Sequence, residues 1–245
     1  MLIDAHCHLH EFPDRELIKY CGRRDLSIIA VSDDYPSSLR TLEISGKCFN
    51  VIPAVGLHPW SVGKANIKEE LKLFTELLSR VKFLGEVGID MRFKPETYNE
   101  QLDVFKYFLD LARNYRLGVN VHAAGAWREA IDLLIKYEVD IAVIHWYTGP
   151  VELLKELENA GFYITINPAI KAQVKLRNVV KEAPLSIILT ESDGPYVYRG
   201  LKLTPDEIPI AINEIASIKE LSAEEVTKTI HENYTKLLSK LGITH

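Results

Sequence analysis

Residues 4–10 read DAHCHLH, and further side chains of the same kinds recur singly downstream as His58, Glu86, His122, His145 and Asp193. Imidazole nitrogens and carboxylate oxygens are the ligand types that hold divalent cations such as Zn, Mn or Mg. Cations held this way activate water and stabilise developing negative charge, which is the chemistry of hydrolysis. If the opening stretch is a strand, side-chain alternation places Asp4, His6 and His8 on one face and Ile3, Ala5, Cys7 and Leu9 on the other. Two imidazoles roughly 7 Å apart at Cα can then chelate one ion. The same inward trio without a cation would leave buried polar groups to satisfy.

Taken singly, each position has a plainer explanation. A lone strand histidine is usually a hydrogen-bonded core or surface residue, Glu86 could cap a helix, and Asp193, followed by Gly-Pro, could begin a turn. What joins them is placement, because each falls late in a short apolar run. The runs are LIDAHCHL, SIIAVS, VIPAVGLHP, FLGEVGID, GVNVHAA, DIAVIHW, FYITINP and SIILTESD, separated by segments with helical spacing such as NEQLDVFKYFLDLARNY. Strands alternating with helices imply parallel pairing through right-handed crossovers. Eight such units in 245 residues predict an α/β fold, a (β/α)8 TIM barrel forming a single domain over 1–245, with a doubly wound sheet as the alternative. Active sites of barrels lie at the C-terminal ends of the strands, where these polar residues fall. Asp90 and Glu191 share a strand face with Glu86 and Asp193, so together with Asp4 they are expected to orient ligands. Cys7 is read as packing, His10 as solvent-exposed beyond the strand, and His231 and His245 as having no site role. The segment AEEVTKTIHENYTKLLSKLG predicts a closing amphipathic helix.

Composition narrows the function classes. A net charge of −5 argues against a protein that coats nucleic-acid backbones, so any phosphate partner must be held locally. Hydrophobic residues at 47% and charged residues at 26% are those of an ordinary globular domain. No basic n-region or long apolar run suggests a signal peptide or membrane span, and no obligate protein partner is evident. Cys7, Cys21 and Cys48 are too few for a disulfide framework and form no C-x-x-C, so unpaired thiols in a reducing, cytoplasmic compartment are expected.

The ordered series DAHCHLH, GLHPW (56–60), GEVGID (85–90), VHAAGA (121–126), HWYTG (145–149) and ESDGPY (191–196) resembles the TatD family of metal-dependent deoxyribonucleases, within the amidohydrolase-like metallohydrolases. The resemblance implies a TIM barrel with a two-metal centre and DNA as substrate. His6, His8 and Asp193 would bind one ion, Glu86 would bridge both, His122 and His145 would hold the second, and His58 would contact the scissile phosphate. Asp193, Glu86 and His58 would then be the catalytic set, with Asp193 accepting the proton of the attacking water; a protonated His58 would stabilise the oxyanion or assist the leaving group. The two divalent ions would be Mg, Mn or Zn. Two departures stand out: Ala123, Ala124 and Gly125 replace an Arg-Asp-Ala type sequence, and Trp146 and Tyr147 replace a common Cys-Phe pair. Both changes are expected to line the substrate mouth. A concave barrel mouth suits cleavage from a strand end. The competing readings are a small-molecule amidohydrolase or lactonase using the same dinuclear centre, and a non-catalytic zinc-stabilised binding barrel. Relatives of the lactonase kind often carry a carboxylated lysine where this chain has Glu86, which favours the nuclease.

Overall fold

A computed structural model describes residues 1–63 and 67–243; His245 therefore lies outside the described residues. Eight short strands, β1 (Leu2–Cys7), β2 (Leu26–Ala30), β3 (Val51–Val55), β4 (Phe83–Gly88), β5 (Gly118–His122), β6 (Ala142–Ile144), β7 (Tyr163–Ile166) and β8 (Ile188–Thr190), form one sheet in chain order. Each sequential pair is parallel. Nearly every strand residue is buried, as a sheet covered on both faces requires, and this is why the runs read as continuous β-branched and apolar segments rather than alternating ones.

The covering helices are α1 (Asp14–Tyr20), α2 (Tyr35–Ser45), α3 (Ile67–Leu77), α4 (Tyr98–Tyr115), α5 (Trp127–Lys136), α6 (Leu154–Ala160), α7 (Val174–Glu182), α8 (Ile208–Lys219) and α9 (Ala223–Lys240). Reciprocal capping boxes start two of them, Asp34 with Ser37 at α2 and Ser222 with Glu225 at α9. The expected closing helix is α9. Its Asn233 Nδ2 donates to the carbonyls of Leu185 and Ile188 at 2.8 and 3.0 Å, which ties the helix to the start of β8.

The ring closes between β8 and β1 through individual hydrogen bonds. Thr190 Oγ1 donates to Ile3 O at 2.6 Å, Ser192 N to Asp4 Oδ1 at 2.8 Å, and Asp193 N to His6 O at 3.0 Å. The last two place the chain that carries Asp193 against the strand that carries His6. Close packing of β4 on β5 depends on Gly88, at φ 151°, where an added Cβ would lie 1.9 Å from His122 O. After β8 the chain forms a small hairpin, β9 (Val197–Tyr198) with β10 (Leu201–Lys202), before entering α8.

The cysteine expectation is overturned. Cys21, at the end of α1, and Cys48, in the turn after α2, form a disulfide across 27 residues, and only the buried Cys7 is free. Sequence spacing could not reveal this, because the end of α1 and the turn after α2 meet only in the folded chain. The inference of a reducing compartment loses its basis with it. No helix among the described residues is long and apolar enough to cross a membrane.

Candidate active site

At the C-terminal mouth of the barrel, the site side chains come from the last residues of the strands or from the few residues that follow them. His6 lies within β1 and His8 just beyond it; His122 ends β5, His145 follows β6 by one residue, and Asp193 follows β8 by three. Glu86, inside β4, is the hub. Its Oε2 lies 3.4 Å from His6 Nε2 and 3.3 Å from His8 Nε2. Its Oε1 faces the other group, 2.7 Å from His122 Nδ1 and 3.5 Å from both His58 Nε2 and His145 Nε2. Asp193 Oδ1 completes the first group, 3.5 Å from His6 Nε2 and 3.6 Å from His8 Nε2. The two groups touch, since the His6 and His145 rings stack with centroids 4.0 Å apart.

Three of these rings are tethered from behind by a hydrogen-bond acceptor, and a fourth, His8, has a carboxylate at ion-pair distance behind it. His6 Nδ1 meets Asn120 Oδ1 at 2.7 Å, with the amide orientation set by Asn120 Nδ2 donating to Ala5 O at 2.7 Å. His8 Nδ1 is 3.1 Å from Asp33 Oδ1, His122 Nε2 is 3.0 Å from Asp90 Oδ2, and His145 Nδ1 is 3.3 Å from Glu191 Oε2. A nitrogen facing an acceptor carries the hydrogen, so in neutral His6, His8 and His145 the opposite nitrogen presents a lone pair to the cluster, the arrangement of a metal-ligating histidine; His122 faces acceptors at both nitrogens, Asp90 Oδ2 and Glu86 Oε1, and offers a lone pair once Nδ1 gives up its proton. His58 is wired the other way. Its Nδ1 accepts from Trp60 N at 3.1 Å, so its Nε2 is the N–H and points into the cluster as a donor. The donor set therefore fits cations on four rings and sets His58 apart from them.

Charge follows this wiring. Burial alone would raise the Glu86 carboxyl, but the imidazoles of His58, His145 and His6 outweigh it and hold the group well below the usual carboxylate range. Asp193 is likewise held down against burial, chiefly by His8. Burial opposes charge on His6 and His122 too, yet Glu86 beside the first, and Asp90 and Glu86 beside the second, push each up to about 9. Burial pulls His58 below its ordinary value, against the attraction of the Glu86 carboxylate.

The supporting residues divide by what they touch. Asp90, besides His122, takes hydrogen bonds from Arg92 N, Phe93 N and Trp60 Nε1. Glu191 takes Trp146 N at 3.0 Å and Asn167 Nδ2 at 3.1 Å. Asp4 holds Ser192 N, which positions the turn leading to Asp193. Asn120 and Asp33 were missed in the sequence. Both carried a signal, since Asn120 shares the β5 face with His122 and Asp33 follows the end of β2 at the mouth. His10, expected to be exposed, is folded back by the short 3-10 turn Leu9–Glu11, and its Nε2 lies 3.0 Å from Asp33 Oδ2.

Above the cluster lies a cavity of about 770 Å³, whose walls include Ala123, Ala124 and Gly125 from one departure and Trp146 from the other. Tyr147 is a correction. It is fully buried, packs on Trp127 at 5.0 Å and donates its hydroxyl to Pro150 O, so it does not line the mouth. Of the two adjacent aromatics that follow His145, Trp146 lines the cavity and Tyr147 does not.

A parallel eight-stranded barrel with imidazoles and carboxylates converging at its C-terminal mouth defines the class of metal-dependent hydrolase barrels. The chain belongs within that class to the TatD related DNase family, whose pattern it matches over residues 3–239. An uncharacterized metal-dependent hydrolase of Methanocaldococcus jannaschii is 33% identical over 247 residues, covering 97% of each chain. Human deoxyribonuclease TATDN3 is 29% identical over 264 residues, covering 98% of this chain and 95% of its own. The crystal structure of YJJV, a TatD homologue from Escherichia coli K12, has the same fold, with a TM-score of 0.86 at 21% identity over 99% of this chain and 98% of that one.

Proposed function

We propose that this member of the family is a phosphodiester hydrolase that shortens DNA from a strand end, using two divalent cations. The observation that carries the reading is the opposite wiring of the histidines: four have an acceptor oxygen behind the nitrogen that faces away from the cluster, whereas His58 accepts there and presents an N–H to it. Such a set supports cation ligands beside a separate hydrogen-bond donor for a phosphate oxygen.

His6, His8 and Asp193 are assigned to one cation and His122 and His145 to the other, with Glu86 between them because its two oxygens face different groups. Cations bound there would acidify the attacking water and offset charge growing on a phosphoryl oxygen. Asp193 takes the proton from that water at a carboxylate oxygen. His58 donates its Nε2–H to the phosphoryl oxygen, a role that needs no charge on the ring. The overall charge of −5 suits a processing enzyme that holds substrate at its centre rather than along a basic face.

The test uses full-length protein, stripped of metal and reloaded with Mg, Mn or Zn, on end-labelled single- and double-stranded oligonucleotides. Metal-dependent shortening that Asp193→Ala abolishes supports the proposal. A wild type that binds metal and leaves every oligonucleotide intact overturns it and directs attention to esters and amides of small molecules.

A further inference from the structure

Trp146 stands apart from the cluster it borders. Its indole Nε1–H donates to Gln173 Oε1 at 2.8 Å, which removes rotational freedom from a ring that lines the cavity. Tyr196 and Tyr198, on the segment entering the β9–β10 hairpin, frame it with centroids 5.9 and 5.4 Å away and interplanar angles of 78° and 67°. At such angles no ring of the three lies face to face on another. Tyr196 is 50% exposed, an aromatic surface kept in water at the lip of a polar site. A tethered indole at a cavity wall is a preorganised flat surface, because the ordering cost is met before a ligand arrives.

The chemistry of the cavity decides what that surface receives. The cation-binding residues occupy its floor, so the phosphate of a nucleotide goes there. Away from the histidines, Arg92 and Lys175 are the only cationic side chains among the described lining residues, and Glu11 and Asp33 offset them. A wall with so little positive charge suits a flat neutral group better than a second phosphate. The cavity volume, about 770 Å³, is in the range that holds one compact ligand.

We propose that Trp146, held by Gln173 and framed by Tyr196 and Tyr198, is a stacking platform for the terminal nucleobase, taking any base through its π face. This rests on the phosphodiesterase reading above. Stacking of this kind is sequence-tolerant, because every base offers a π surface.

The experiment compares ligands that differ only in the base. Calorimetric binding of dAMP, dTMP and 2-deoxyribose 5-phosphate to Mn-loaded protein is measured for wild type, Trp146→Ala, Trp146→Phe and Tyr198→Ala. Wild type is expected to bind both nucleotides about tenfold or more tighter than the sugar phosphate. Trp146→Ala should collapse that ratio toward one while leaving sugar-phosphate affinity intact, which also reports that the site is folded; Trp146→Phe should keep most of the ratio. If Trp146→Ala is not recovered folded, Tyr198→Ala carries the test, with a partial fall in the ratio expected. A wild-type ratio near one overturns the proposal, as does a ratio indifferent to these substitutions. If oligonucleotides stay uncut while the ratio still depends on Trp146, the nuclease reading fails and the base platform stands.

Discussion

His6 and His8 meet nitrogen to nitrogen, their Nε2 atoms 3.2 Å apart. Acceptor oxygens of Asn120 and Asp33 already face the far nitrogens, so in neutral rings two lone pairs would face each other. Without a cation, a proton must lie between them, and Glu86 beside the pair stabilises that positive charge. A cation that takes its place must displace protons.

That displacement is measurable. With His6 and His122 both raised to about 9, both rings carry protons at neutral pH in the metal-free protein, and loading releases them. Apparent metal affinity should therefore climb as pH rises from neutrality toward about 9. Titration of Zn or Mn in two buffers of different ionisation enthalpy reads the proton count; identical apparent enthalpies in the two would refute the linkage.

The carboxylates behind the rings set which nitrogen is free. Asp33→Asn and Asp90→Asn preserve shape but replace an acceptor oxygen with an amide that can present its NH2 to the ring. Each should weaken metal retention by about 10- to 100-fold. Competition against a chelator gives the number, and wild-type retention in both variants would show that the tethers do not matter.

Asp4 is fully buried, and burial pushes its carboxyl up to about 7. A raised carboxyl pKa means that folding favours the protonated form, so ionisation costs stability progressively as pH rises from the model-peptide value of 3.8 to about 7. Asp4→Asn keeps an acceptor for Ser192 N and does not ionise. Its stability relative to wild type should grow across that interval and level off above it. Urea midpoints of both proteins across this range test the sign, and a difference that stays flat with pH would contradict it.

The Cys21–Cys48 link, 27 residues apart in sequence, joins the end of α1 to the turn after α2, and neither residue lines the cavity. Chain-entropy reasoning gives it about 3.5 kcal/mol. Reduction, or Cys21→Ser with Cys48→Ser, should lower the unfolding midpoint by several degrees while hydrolysis well below that temperature proceeds at the wild-type rate. Unchanged thermal stability after verified reduction would show that the link contributes nothing.

Much of the architecture was readable because barrels have a strong periodic signature: apolar β-branched runs separated by amphipathic helices, with polar residues late in each run. The convergence of His6, His8, Glu86, His122, His145 and Asp193 followed from that rhythm and from strand alternation. Asn120 was as readable as His122 by the same parity, whereas Asp33 lay beyond a run that showed no polar residue in its interior. Tyr147 was misplaced because local pattern does not tell which of two adjacent aromatics leaving a strand faces the cavity.

By itself the sequence determined residue types, their order and their strand faces, since these depend on local covalent geometry and hydrophobic periodicity. Tertiary structure alone decided the rest. Which nitrogen of each ring faces the cluster depends on partners from other strands, such as Asn120 behind His6, 114 residues away. The pairing of Cys21 with Cys48 and the orientation of Trp146 by Gln173 likewise arise where helices and loops distant in sequence pack together. Hydrogen bonds and disulfides depend on distance and direction in space, and no local pattern encodes either.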